Sequence, residues 1–408
     1  MPRHSATTAA PASRILTGHA AIWAVAAELA LIFAGGALPT PLYELYKQQF
    51  HFSEIVLTLL FAIYVVGALM ALFLLGRVSD QIGRRRTLLP AIVIVAISTL
   101  AFLLPSSLPV LFTGRFLSGM AIGIASGTAT AWIAELEPDG DPGRATVIAV
   151  AANMAGLAVG PLLAGLLAQY AGNPLQLVYV VYLGLLLPAA FIAARIQETI
   201  EDPTTRLRDI ELRPRLGVPA EIRAQFMAPA VTAFAIFSLM GFSTGLTPTL
   251  LTQSLHEPGP AIGGAVVFEL FLVGAVTTVL TRRMTSRTAL LAGLLLLLPT
   301  LALLVLAQAE RSMTILLIDT ALAGVSTSLG YRGSLQTVNE VAPKGRRAEL
   351  VSSYLVACYA GISLPVIGIG VISQLVDAFV ADLVFAVVIA LAALVALTVG
   401  LRYAPRPE

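Results

Sequence analysis

The sequence predicts an all-α membrane protein: twelve transmembrane helices arranged as two bundles of six. Composition, the spacing of the apolar runs and the placement of the basic residues each point there. Of 408 residues, 57% are hydrophobic and only 12% charged, where soluble domains carry roughly 25% charged residues. Mean hydropathy is +0.88. Apolar runs of about 20 residues, the length that crosses ~30 Å of hydrocarbon as a helix, recur along the whole chain. Inside hydrocarbon every backbone N–H and C=O needs an internal partner, so such runs are helices.

Each span carries its own punctuation. Residues 1–19 form an Ala/Thr/Ser-rich tail with no cleavable-signal pattern. The first span, 20–38, stops at the prolines of PTPLYELY, and the second, 55–75, at the cationic GRVSDQIGRRR of 76–86. The third, 87–104, ends before Pro105; the fourth, 110–132, runs into AELEPDGDPGRA, which leads to the fifth, 146–170. Gly172 and Pro174 separate that span from the sixth, 175–194. The second half repeats the plan with spans at 228–250, 261–281, 289–307, 312–335, 350–372 and 381–401, followed by a tail over 402–408. The expected organisation is a six-helix bundle over 20–194, a polar linker over 195–227 and a second bundle over 228–401. Two repeats with a cavity between them are a transporter plan.

Charge orients the spans. With the N-terminus in the cytoplasm, 21 of the 25 Lys and Arg fall in cytoplasmic segments. Lys47 and Arg311 fall outside, and Arg115 and Arg332 lie within spans. Such an excess places both termini in the cytoplasm. Arginine outnumbers lysine 23 to 2, a bias in keeping with a GC-rich bacterial genome, and the expected location is a bacterial inner membrane. A faint echo relates the halves. Glu135, Pro138, Gly140 and Arg144 follow the fourth span; Glu340, Pro343, Gly345 and Arg347 follow the tenth in the same order.

Three motifs stand out. In the loop after the second span, arginines alone make a topogenic turn, but Gly76, Asp80, Gly83 and Arg84 ask for more. A carboxylate such as Asp80 is favoured at the start of a neighbouring helix, and glycines let backbones approach. The matching loop of the second half, 280–289, keeps the positive charge and lacks the Asp. In the fourth span, Arg115, Gly119, Gly123 and Gly127 follow at steps of four, on one helix face suited to close packing. An arginine there either faces a cavity or a partner, or snorkels to the nearby outer interface. In the fifth span, Gly156, Gly160 and Pro161, then Ala164-Gly165, combine a helix kink with close approach.

The ionisable residues more than two positions inside a span are Glu28, Arg115, Glu269, Asp319 and Arg332. A carboxylate held in hydrocarbon without a partner takes up and releases a proton as its surroundings change. Glu28, the deepest, is the leading proton carrier. Asp319 fits that role or an ion pair with an arginine. Arg332, near the cytoplasmic end, is expected at the interface. Tyr64, Asn153, Glu269 and Gln336 are candidates to line a substrate cavity. Trp23 and Trp132 are read as interfacial anchors, and Tyr43 and Tyr46 as caps of the outer mouth.

The spacing G-x-x-x-D-x-x-G-R-R at 76–85 resembles the signature loop of the major facilitator superfamily. The Arg115 pattern resembles the fourth-helix motif of drug-exporting members. Residues 156–165 resemble the exporters' antiporter motif, with two departures: Ala164 replaces a glycine, and Val147 stands where an earlier one is expected. The resemblance covers essentially the whole chain and implies two bundles that rock to open a central site to either side. It implies that 76–84 is a cytoplasmic latch and that Arg115 is linked to proton coupling. It further implies export of a small organic compound, drug or metabolite, in exchange for protons. A proton-linked metabolite or sugar importer on the same fold is the nearest alternative, and a transporter-like membrane sensor without solute flux is a second.

Other classes fit poorly. The sequence has no nucleotide-binding loop, so an ion gradient is the expected energy source. Cys358 is the only cysteine, and His4, His19, His51 and His256 all lie outside the expected spans. No disulfide within the chain, metal site, cofactor, enzymatic activity or nucleic-acid partner is therefore expected. The expected partners are the substrate, protons and the lipid bilayer, with the chain as a monomer. The substrate is read as a neutral or amphipathic molecule, or a cation matched to Glu28 and Asp319.

Overall fold

The computed structural model describes residues 15–76, 78–105, 107–201, 203, 216–256, 259–343 and 346–403. Arg3, Arg14, Arg77, Lys344, Gly345, Arg406 and most of the linker lie outside the described residues. The first half comprises α1 (Gly18–Ala37), α2 (Tyr43–Phe50), α3 (Glu54–Leu75), α4 (Val78–Ile82), α5 (Arg84–Leu103), α6 (Leu108–Leu136), α7 (Pro142–Tyr170) and α8 (Leu177–Ala193). The second comprises α9 (Arg223–Gly245), α10 (Thr247–Gln253), α11 (Pro260–Leu280), α12 (Ser286–Ala309), α13 (Met313–Val341), α14 (Arg347–Leu375) and α15 (Ala378–Tyr403). Among the described residues, eleven helices are long and apolar enough to cross a membrane, and α8 is apolar with 17 residues. At 1.5 Å per residue α8 spans about 25 Å, at the short end for a crossing helix.

Local chemistry sets the helix ends. Asp141 begins α7: its Oδ1 accepts the N–H of Gly143 at 2.8 Å and of Arg144 at 3.2 Å, with Pro142 as the first helical residue. The expected seventh span breaks earlier than 250. The chain leaves helix geometry after Gly245, and Pro248 sits in the first turn of a separate helix, α10. By contrast α6 and α13, with 29 residues each, run past their expected ends at 132 and 335. Before α1, Leu16 pairs with Ile196 in a single parallel bridge that ties the start of the chain to the end of the sixth span.

Glycines set how the helices cross. A Cβ on Gly119 of α6 would lie 2.8 Å from the Tyr64 carbonyl carbon of α3, and one on Gly156 of α7 2.8 Å from that of Ala30 on α1. A shift of 205 residues carries Gly119 to Gly324, Gly156 to Gly361 and Gly165 to Gly370. The roles travel with it. Gly324 presses on Leu270 of α11, and Gly361 on Phe234 of α9, so α13 and α14 of the second half reuse the contacts of α6 and α7. Gly165 and Gly370 do something different: they meet Pro260 and Thr58 of the opposite half. The halves thus join along two seams, α7 with α11 and α3 with α14.

Candidate functional site: the cavity between the halves

Between the two seams lies a cavity with about 870 Å³ of empty space, its open mouth included. The first half contributes Phe33, Gly36 and Thr40, then Phe61 and Tyr64, then Arg115 and Ser126, then Asn153 and Met154. Across from them stand Phe237, Met240, Phe271, Tyr331, Cys358 and Tyr359. The wall is largely apolar and rich in rings, with a few hydroxyls and one amide. Arg115 is the one charged side chain among the described residues that line it.

Arg115 is 2% exposed and turned inward, which decides against a snorkelling role. Its Nη1 donates to the Gly36 carbonyl at 2.5 Å. Its guanidinium carbon lies 4.8 Å from the ring centre of Tyr64, 5.6 Å from Phe61 and 5.8 Å from Tyr43. Ring faces are negative, so three of them and a carbonyl partly replace the water an arginine loses on burial. Its Nε has no hydrogen-bond partner, and among the described residues no carboxylate pairs with it.

The other expected residues divide. Tyr64 and Asn153 line the cavity; Glu269 and Gln336 are half-buried and lie away from its wall. Glu28, 3% exposed, is also off the wall. It shares a face of α1 with Gly35, seven residues on, which packs against the Tyr182 hydroxyl of α8. Asp319, 4% exposed, likewise shares a face of α13 with Ser326, whose hydroxyl donates to Gly293 of α12 at 2.8 Å. Both carboxylates therefore sit inside their own bundles, and a cation held between them in the cavity does not fit. Neither forms an ion pair among the described residues, so the paired alternative for Asp319 is not what the structure contains.

Several expectations are corrected. Arg332 is not interfacial: it is 1% exposed, one turn beyond Ser328, which shares a 2.7 Å hydrogen bond with Thr278 of α11. Trp132 is buried and donates to the Gln197 carbonyl at 3.0 Å, while Trp23 is exposed. Tyr46 is buried in the first half, with its hydroxyl on Phe102 and Tyr179, and Tyr43 lies beside Arg115. Gly127 faces open space, so the packing groove of α6 is made by Gly119 and Gly123. Gly241–Gly245 has the G-x-S-x-G spacing of a nucleophile turn, but it lies inside α9, where Gly241 packs on Ile362 and Gly245 on Phe61.

In the signature loop Gly76 caps the end of α3, and Gly83 takes φ +106°, a conformation that side chains rarely adopt. Asp80 is largely exposed and pairs with Arg84 at 2.5 Å. The carboxylate at the start of a helix is instead Glu198, which accepts the N–H of Arg84 at 2.8 Å and of Arg85 at 3.1 Å. Arg84 also grips Glu135 at the end of α6, through Nε at 3.1 Å and Nη2 at 2.5 Å. The second half has a reduced version: Ser286, the first residue of α12, donates to Glu340 of α13 at 2.7 Å. These ties stay within one half. On the opposite face, hydrogen bonds cross between halves: Thr249 to Glu44 at 2.9 Å, and the Ala261 N–H to Gln169 at 3.0 Å.

Comparison with known proteins places this architecture. Over 109 residues the chain is 34% identical to the major myo-inositol transporter IolT of Bacillus subtilis, covering 27% of this chain and 22% of that protein. Over another 109-residue match it is 32% identical to the chloramphenicol resistance protein CraA of Acinetobacter baumannii, covering 26% of each. The curated matches span between 16% and 40% of those relatives' own lengths. Among solved structures, a bacterial homologue of the human lysosomal transporter Spinster, described as inward-facing and unoccupied, superposes with a TM-score of 0.69. That match covers 95% of this chain and 98% of the other at 16% identity. The sequence pattern of the Major Facilitator Superfamily matches residues 26–365, and the chain belongs to that family of transporters.

Proposed function

We propose that the chain exports a small organic compound across a bacterial inner membrane in exchange for protons, acting as a monomer with both termini in the cytoplasm. The observation that carries this reading is the Gly156, Gly160 and Gly165 series on α7. It resembles the exporters' antiporter motif, and it packs α7 against α1 of its own half and α11 of the other. A motif at the surface where two bundles rock is positioned to govern which side the cavity faces. Glu28 and Asp319 are the proposed proton carriers, and Arg115 the group through which substrate and proton movements are joined. Tyr64 and Asn153 contact the substrate. A proton entering a buried carboxylate changes its preferred surroundings, and the transition follows only if the two states differ in affinity for that proton. With the N-terminal face cytoplasmic, the cross-half hydrogen bonds seal the outer side and the cavity opens inward.

The second reading is uptake, favoured by the similarity to a myo-inositol transporter. Everted membrane vesicles with an acidic lumen separate the two. Export predicts that adding substrate makes the lumen more alkaline, and that Glu28→Gln abolishes this response while folded protein remains. Full coupled transport by Glu28→Gln would remove Glu28 from the mechanism. Substrate movement with the proton rather than against it would replace export by uptake.

A further inference from the structure

We propose that the cavity recognises an aromatic organic anion, with Arg115 holding the ligand's carboxylate and the surrounding rings its apolar body. This deepens the transport reading by naming a substrate class, and it rests on that reading only in taking the cavity as the substrate site.

Arg115 is buried, lines the cavity and is met there by no carboxylate of the described residues. A guanidinium carries five N–H donors. Gly36 engages Nη1, and Nε is without a partner, so donor capacity remains for a ligand. The fork of N–H groups matches a carboxylate in shape, and a charge-assisted pair is the strongest hydrogen-bonding arrangement open to it. The rings that flank it leave the positive charge uncancelled, because a quadrupole attracts a cation without neutralising it. Across the cavity, Phe237, Phe271, Tyr331 and Tyr359 offer a second bank of aromatic surface. A ligand with a negative head and a ring system satisfies both walls. An amine meets like charge at Arg115, and the carboxylates Glu28 and Asp319 are off the wall. The carboxylates Glu44 and Glu54, which pair with Lys47, lie outside this cavity on the face where the halves already touch.

Matched compounds test this at equilibrium: indole-3-acetate, indole-3-acetamide and tryptamine, with the corresponding naphthyl series. Binding to the purified full-length protein in lipid nanodiscs is measured without any proton gradient. A bond to a charged group rather than a neutral one predicts that the carboxylate binds roughly 10- to 100-fold more tightly than the amide, with the amine weakest. Arg115→Gln should erase the preference, and Arg115→Lys should keep part of it. Equal or tighter binding of amide or amine to the unaltered protein overturns the proposal, and needs no variant to fold. Survival of the preference in Arg115→Gln also overturns it, as does failure of every carboxylate to bind at about 1 mM. None of these outcomes bears on direction or proton coupling, so export can stand or fall separately in the vesicle assay.

Discussion

Replacing Gly156 by alanine should loosen the crossing of α1 and α7 and distort the cavity they share. The new Cβ would stand 2.8 Å from the Ala30 carbonyl carbon, 2.9 Å from its Cα and closer still to its oxygen, where 3.4–4 Å is ordinary contact. These are backbone atoms and cannot rotate away, so the helices must part by about an ångström. A gap of that size forfeits roughly a quarter to a half of each dispersion contact along the seam, and overpacking typically costs about 1–3 kcal/mol. Alanine's better helix propensity returns up to about 1 kcal/mol. Gly184 of α8 is the control, because nothing lies within 4 Å of its added Cβ and it keeps the propensity gain. The unfolding free energy of both variants in mixed micelles should therefore differ by about 1–3 kcal/mol in favour of Gly184→Ala. Because Phe33 and Gly36 of α1 and Asn153 and Met154 of α7 line the same side of the cavity, ligand binding should weaken as well. Equal stability of the two variants, to within about 0.5 kcal/mol, would refute the reasoning.

Three further outcomes can be checked on the N-terminal face and in the cavity. Gly83→Ala forces a side chain into φ +106° and against Glu198, and should cost about 1–3 kcal/mol in the same unfolding assay. Glu198→Ala removes the acceptor at the start of α5 and should cost about 0.5–2 kcal/mol. Combined with Gly83→Ala the costs should fall short of additive, because the clashing carboxylate is gone; strict additivity counts against the contact. Ser126→Cys, made in a Cys358→Ser background, should react with a membrane-impermeant thiol reagent faster in everted than in right-side-out vesicles. The opposite order would mean that the cavity opens to the other side.

The spans, their pairing into halves and the packing glycines were legible because membrane burial demands long apolar runs, and close crossings demand residues without a side chain. The direction in which a given residue points was not. In a soluble helix the polar face marks solvent, but here lipid and neighbouring helices are equally apolar, so Glu28 at mid-span looks the same whether it faces the cavity or α8. For the same reason Phe237, Tyr331 and Tyr359 carry no signal that separates them from core aromatics. Depth misled for Arg332 and Trp132: both lie near a span end, yet long helices extend the bundle beyond the expected boundary and bury them. Glu198 went unseen because its role depends on the sixth span returning its end to the start of the third. The short helix α2 was hidden in a connection too brief and polar to show a period, and α10 was merged with the seventh span because apolar residues continue past the break after Gly245.

Arg115, the one positive charge among the described residues that line the cavity, has an electrical consequence. A cell interior is negative, and water filling an open cavity brings the potential of that side up to Arg115. An empty transporter is therefore held more firmly in whichever state faces the interior, by up to about 2.3 kcal/mol per 100 mV if the whole field falls across the closed side. The anion proposed to bind Arg115 would cancel the charge and lift that bias. Voltage would then park the empty protein facing the cytoplasm and release it to turn outward only when loaded, which commits the cycle to carrying cargo.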